Sequence, residues 1–127
     1  MTDRGTVTVT WDETHRFAEL TFDGVVLESE ADVAWLRQEL VGHYESFERP
    51  FDALICLDGL RLDREAVRAF GEMRADLTNT YFNSSRRYGG GRVVQTAVLT
   101  SSVLYDAGRD MFSSRDDAIR DLLESRA

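Results

Sequence analysis

The chain has 127 residues, of which 43% are hydrophobic and 30% charged, and 23 acidic against 15 basic residues give it a formal net charge of -8. This length and composition fit one globular domain with its own hydrophobic core, and they exclude a disordered chain. The excess of carboxylates argues against nucleic acid or an anionic membrane as the main partner.

All 15 basic residues are arginines, so Schiff-base and phosphate-loop lysines are excluded. Cys56 is the only cysteine, which rules out an intrachain disulfide and fits a reducing compartment. Its apolar surroundings in the sequence predict a buried side chain rather than a reactive thiol. The N-terminus lacks a signal-peptide pattern and no apolar run is long enough to span a membrane, so we expect a cytoplasmic protein.

The N-terminal third predicts a hairpin and a helix. Residues 6–11 and 17–22 alternate between apolar or β-branched and polar side chains, and a polar turn joins them, which is typical of an antiparallel pair. Ser29 then predicts a helix N-cap. The apolar face of this helix recurs at helical spacing and comprises Val33, Leu36, Leu40, Tyr44 and Phe47.

The centre of the chain predicts a strand followed by a second helix. Residues 51–57 are almost continuously apolar, as in a strand that is buried on both faces. Asp63 then caps a helix whose apolar stripe is Ala66, Phe70, Met73 and Leu77. Gly71 lies inside this helix and predicts close packing against a neighbouring element.

The periodicity fades between residues 78 and 91, where the triple glycine predicts a loop. Residues 92–100 predict the last long strand, and residues 101–108 a short connection. Met111 and Phe112 suit a brief edge strand, after which Ser114 caps a terminal helix.

The order of elements is therefore β-β-α-β-α-β-(short turn or strand)-α, which predicts a single α/β domain over residues 1–127. Crossover helices require parallel pairing, while the opening hairpin supplies an antiparallel edge. We expect a mixed sheet of four or five strands with helices packed on it.

Three segments resemble the STAS and SpoIIAA-like domains typified by bacterial anti-sigma factor antagonists. Residues 20–33 contain a strand, a glycine, an apolar pair and a capped helix. Residues 54–63 contain an apolar strand and the loop that follows it. Residues 111–123 contain an apolar residue, a short polar cap and a helix with an early alanine. The resemblance implies a SpoIIAA/STAS-like fold and a small bacterial regulatory protein.

The resemblance also implies a phosphorylatable serine after an aspartate at the start of the second helix. Asp63 matches the aspartate, but Arg64 and Glu65 stand at the serine positions and Ala66 at a glycine position. Because no hydroxyl is present there, we expect a divergent member that is not switched by phosphate at this point.

Three groups of residues suggest chemistry, and each has a simpler structural interpretation. Asp58 and Asp63 suit an acid/base pair or a cation site, but also a turn residue and a helix cap. The triple glycine beside Arg86, Arg87 and Arg92 suggests anion binding, although it precedes a strand and lacks phosphate-loop spacing.

The aromatic side chains of Tyr81, Phe82 and Tyr88 are either an exposed binding patch or are buried by a loop that folds back. The histidines and Cys56 lack metal-ligand spacing, and the serine pairs lack a nucleophile elbow. We therefore expect no catalytic set, no cofactor and no metal.

From these observations we predict a non-catalytic regulatory or scaffolding module that binds another protein or a second copy of itself. The residues predicted to contact the partner are Asp58, Arg61, Asp63, Arg64, Arg68, Tyr81, Phe82, Arg86, Arg87 and Tyr88. The alternative is a carrier of a small molecule or lipid in an apolar pocket between sheet and helices. An enzyme that uses Asp58 or Asp63 would need both carboxylates in one cleft.

Overall fold

A computed structural model describes residues 4–105 and 110–126 of the chain. It contains seven strands, four α-helices and one short 3₁₀ turn in these residues. The strands are β1 (Thr6–Asp12), β2 (Phe17–Asp23), β3 (Val25–Leu27), β4 (Phe51–Cys56), β5 (Leu60–Leu62), β6 (Phe82–Tyr88) and β7 (Met111–Phe112). The helices are α1 (Glu30–Tyr44), α2 (Val67–Tyr81), α3 (Arg92–Tyr105) and α4 (Arg115–Glu124), and the 3₁₀ turn Arg64–Ala66 precedes α2.

Five strands form one mixed sheet in the order β1-β2-β4-β6-β7. The β1–β2 hairpin is antiparallel, and β2, β4, β6 and β7 are parallel to one another. β3 and β5 form a separate parallel pair; the sequence analysis identified these segments only as an apolar pair and a loop. The predicted α/β class, the hairpin, the central position of β4 and the brief β7 edge are confirmed.

Both faces of the sheet are covered, which explains the nearly continuous apolar sequence of β4. On one face the apolar stripes of α1, α2 and α3 build the main core, with Leu36, Phe70 and Val98 among its buried members. On the other face α4 covers Phe17 and Leu54. The α4 side chains in this smaller core are Ala118 and Leu122, so β4 is sandwiched between helices as predicted.

Two helix caps and one turn follow directly from the local sequence. The Ser29 hydroxyl accepts from the Asp32 amide and the Ser114 hydroxyl accepts from the Asp117 amide, at 3.4 and 3.2 Å. Gly59 is required in its turn, because its φ is +81° and an added Cβ would lie 2.2 Å from the Phe22 carbonyl oxygen.

Two predictions about the C-terminal half are wrong. The segment from 78 to 91 is not a loop, because α2 continues to Tyr81 and β6 follows at once. Residues 92–100 are not a strand but the first part of α3. A third prediction, in β4, is also wrong: the Cys56 side chain is only partly buried, whereas the sequence predicted a buried side chain. The predicted connection over residues 101–108 falls partly outside the described residues, and its first five residues belong to α3.

The predicted close packing at Gly71 is confirmed, since this is where α2 meets α3. A Cβ added to Gly71 would lie 3.0 Å from the Ser101 Cβ. Gly42 in α1 is the matched contrast, since an added Cβ there has no neighbour within 4 Å among the described residues.

We predict opposite effects for substitutions at these two helical glycines. Gly71→Val should lower the free energy of unfolding by about 1–3 kcal/mol, because its branched side chain overpacks the helix contact. Gly42→Ala should raise it by about 0.5–1 kcal/mol through helix propensity alone. Urea denaturation followed by circular dichroism measures both, and equal effects at the two sites would show that α2 and α3 are not in close contact.

Candidate functional site

A groove of about 970 Å³ lies between the start of α2 and the length of α3. Its base is formed where the two helices touch, at Gly71, Ala97 and Ser101. Strand β5 and the 3₁₀ turn close one end. Four arginines line that end, namely Arg61, Arg64, Arg68 and Arg92.

Arg74 of α2 fixes the orientation of α3 above this groove. Its guanidinium donates to the Ser102 hydroxyl at 2.9 Å, the Ser101 hydroxyl at 3.3 Å and the Val98 carbonyl at 3.5 Å. Burial lowers the pKa of Arg74 to about 10, which leaves it charged at neutral pH. A buried cation needs such acceptors, so the serine face of α3 is turned inward.

The opposite face of α3 is exposed and uncharged. The large apolar side chains that are exposed in the described residues all belong to this helix: Val93, Leu99, Val103, Leu104 and Tyr105, with 51, 46, 71, 66 and 41% of their surface accessible. Thr96 and Thr100 lie on the same exposed face. The 13 residues from Val93 to Tyr105 contain no charge, in a chain with 30% charged residues.

The groove thus combines an apolar wall with a cationic end. Val93, Leu104 and Tyr105 belong to the wall, whereas Leu99 and Val103 continue the exposed apolar surface of α3 outside the groove. Arg61, Arg64 and Arg92 are exposed, and no ion pair to any of them is found within residues 4–105 and 110–126. Arg68 is different, because its Nε lies 3.2 Å from Glu72 Oε1. This arrangement suits a ligand or protein segment with an apolar body and acidic groups at one end.

Of the carboxylates predicted to contact a partner, Asp63 lines the groove and Asp58 does not. Asp63 precedes the 3₁₀ turn, but its side chain makes no cap hydrogen bond; its backbone carbonyl accepts from the Ala66 amide instead. The Asp58 carboxylate accepts from the Gly90 amide at 2.9 Å. The backbone of Gly89, with a φ of +74°, packs directly against the same carboxylate. Asp58 therefore holds the turn before α3, as a turn residue would.

The predicted aromatic residues do not lie beside the groove. Tyr81 is buried and Phe82 partly buried in an aromatic cluster at the start of β6 that includes Tyr44 and Phe51. The Tyr81 hydroxyl donates to Glu45, and this bond raises the pKa of Tyr81. These residues support the alternative interpretation, in which the aromatic side chains are covered.

Tyr88 lies at the other end of β6, on the α4 side of the sheet. It is partly buried, and burial together with a contact to the Cys56 thiol raises the pKa of Tyr88. Cys56 Sγ also approaches Asp58 Oδ2 at 3.8 Å.

Arg86 and Arg87 are core residues, which removes them from the surface where a partner was predicted. Arg86, only 8% exposed, donates to Asp121 at 2.6 Å across to α4. Arg87 is 1% exposed and donates to the Ser85 hydroxyl and the Asp110 carbonyl. Burial, reinforced by the nearby Arg74 cation, lowers the pKa of Arg87 to about 9.

Three other possibilities receive no support from the described residues. The closed space between the sheet and the helices measures about 40 Å³, which is too small for the ligand that a carrier would hold there. Within the described ranges, no three His, Cys, Asp or Glu side chains are grouped as a metal site would require. In these same ranges, no helix has both the length and the apolar character needed to cross a bilayer.

The sequence interpretation missed α3, which contributes most of the groove. A signal was present, because the uncharged run continues to Tyr105 and is too long for an ordinary strand. Its buried positions are Val94, Ala97, Val98, Ser101 and Ser102, a regular helical stripe. Because two of its members are serines, this stripe did not look apolar in the sequence. The apolar residues on the exposed face made the segment look like a buried strand.

We predict that Arg87 can be replaced without loss of stability if its polar partner is replaced with it. Arg87→Met combined with Ser85→Ala removes the buried charge together with its hydroxyl acceptor, while the Asp110 carbonyl still accepts from the backbone amide of residue 87. The free energy of unfolding should therefore stay within about 1 kcal/mol of wild type or rise. Arg87→Ala alone leaves a cavity and an unpaired hydroxyl, and should cost about 3 kcal/mol. Urea denaturation measures both; a severe loss in the double variant would show that the buried charge itself is required.

The fold, in contrast to the sequence, matches a solved structure. The sequence matches no protein-family model and no curated protein. The structure is similar to an uncharacterized protein of the DUF3478 family from Shewanella loihica PV-4, described as having a SpoIIAA-like fold. The two share 13% identity and a TM-score of 0.62, over 96% of this chain and 98% of the other. The predicted resemblance is thereby confirmed at the level of architecture: this chain has a SpoIIAA-like fold.

Proposed function

We propose that the chain is a non-catalytic regulatory or scaffolding module that acts by binding another protein through the groove between α2 and α3. The observation that carries this proposal is the location of the exposed large apolar side chains of the described residues, all of them on α3. Exposed apolar surface lowers solubility unless a partner covers it, and contiguous patches of this kind are typical of interaction sites.

The composition of the groove supports a protein partner. Protein interfaces combine an apolar centre with a polar rim, and arginine is enriched in them. Here Val93 and Leu104 supply apolar surface, and Arg64 and Arg92 supply cationic groups at one end. The net charge of -8 disfavours nucleic acid, so the acidic groups that match these arginines belong most simply to a protein.

The segment just before α2 has no hydroxyl group that could be phosphorylated. Residues Asp63, Arg64, Glu65 and Ala66 present no hydroxyl at the edge of the groove. A phosphate added to a serine there would have introduced negative charge beside the arginines and altered docking. Binding at this groove should therefore not depend on phosphorylation at the start of α2.

Charge introduced on α3 should abolish binding and leave the fold intact. We predict that Leu104→Glu in the groove, combined with Val103→Glu on the adjoining exposed surface of α3, lowers the recovery of partner at least tenfold, because the carboxylates would be desolvated in the interface. The side chains are 71 and 66% exposed, so stability should change little. The measurement is quantitative mass spectrometry after photo-crosslinking in cells from a probe placed at Thr100.

The matched control adds the same charge to another helix. Ala34→Glu with Gln38→Glu places two carboxylates on exposed positions of α1 and should leave recovery unchanged. If the α3 variant captures the same proteins in the same amounts as wild type, the groove is not the docking surface.

A carrier of an anionic amphiphile is the second candidate, because the groove volume of about 970 Å³ lies within the range of ligand sites. Its site would be this open groove rather than the closed space between sheet and helices. Native mass spectrometry of gently purified protein distinguishes the two functions. If the chain is a carrier, the spectrum should show a bound small molecule that is lost in Leu104→Glu. If the chain is an interaction module, the spectrum should show no bound small molecule.

A further inference from the structure

Strand β1 is a long edge strand, and no other strand of the described residues lies on its outer side. It runs unbroken from Thr6 to Asp12 and pairs with β2 over its whole length. In an antiparallel pair, alternate residues direct their amide and carbonyl groups away from the partner strand. Within residues 4–105 and 110–126, residues 6–11 have backbone hydrogen-bond partners in β2 alone. About half of their backbone groups therefore face outward unpaired.

Apart from Asp12 at its end, this edge carries none of the features that normally prevent pairing with another strand. Natural edge strands are protected by lysine, proline, bulges, inward-pointing charges or short length. Residues 6–11 of β1 contain no charge and no proline, and the pairing register with β2 has no bulge. The opposite edge of the sheet, β7, has only two residues.

We propose that β1 pairs antiparallel with β1 of a second copy of this chain, which joins two five-stranded sheets into one continuous sheet. A strand is the partner that satisfies a row of outward amides and carbonyls. An uncharged segment is also where two copies with a net charge of -8 each can approach with least repulsion.

The side chains of β1 are complementary to themselves under a two-fold axis near Val9. Antiparallel pairing about that axis places Thr8 opposite Thr10 of the second copy and Val7 opposite Trp11 of the second copy. Threonine pairs then lie on one face of the sheet. Val and Trp side chains, which already pack against the main core, extend it on the other face. This pairing is independent of the groove between α2 and α3.

Sedimentation velocity from low micromolar to millimolar concentration tests this pairing with two matched variants. Thr8 and Thr21 are opposite each other in the β1–β2 register and lie on the same face of the sheet, but only Thr8 is on the edge. Wild type and Thr21→Lys should form dimers at high concentration. Thr8→Lys should raise the dimer dissociation constant roughly tenfold or more, because it puts a charge on the edge strand and brings the two introduced ammonium groups diagonally across the new strand pair on one face.

Hydrogen exchange locates the contact without any substitution. Amides of residues 6–12 in the wild-type chain should become more protected as concentration rises. The proposal is overturned by a wild type that is monomeric throughout, by equal dimerisation of Thr8→Lys and Thr21→Lys, or by concentration-dependent protection in α3 instead of β1. A dimer lost only on Val103→Glu with Leu104→Glu would likewise assign self-association to the groove.

Discussion

The contact between Arg74 and α3 determines which side of that helix meets solvent. The Arg74 guanidinium is buried with the Ser101 and Ser102 hydroxyls and the Val98 carbonyl around it. Because a buried cation must keep such acceptors, the serines face inward and the leucines and valines of the opposite face are left outside. Gly71 makes this possible, since its missing side chain lets α2 approach Ser101.

Arginine has an unusual share of the interior of this protein. Arg74, Arg86 and Arg87 are buried, and the pKa of Arg87 falls to about 9 without reaching neutrality. Arg86 is paired with Asp121 on α4, whereas Arg87 has neutral acceptors, among them the Asp110 carbonyl. The chain contains no lysine, so every buried cation is an arginine. The planar guanidinium has five N–H donors and can satisfy several acceptors in the core, whereas the compact ammonium group of a lysine would leave some of them unpaired.

Most elements before residue 78 could be predicted, because local sequence and tertiary position agree there. The alternating residues of β1 and β2, the Ser29 cap and the apolar run of β4 each indicate the element that forms. The prediction failed where the two disagree. In α3 the buried face contains two serines beside its apolar residues and the exposed face is also largely apolar, so the contrast between the two faces that identifies a helix was weak. In β6, arginines occupy buried strand positions and were interpreted as a polar loop.

By itself, the sequence determined the α/β class, the central strand and the helix caps at Ser29 and Ser114. These features depend on neighbouring residues, through hydrophobic periodicity, capping and turn chemistry. The tertiary structure alone decided that Arg86 and Arg87 are buried, that Tyr81 belongs to the core, and that α3 rather than the aromatic segment completes the groove. Those outcomes depend on hydrogen bonds and ion pairs between residues far apart in the chain, such as Arg74 with Ser102 and Arg86 with Asp121, which no local pattern encodes.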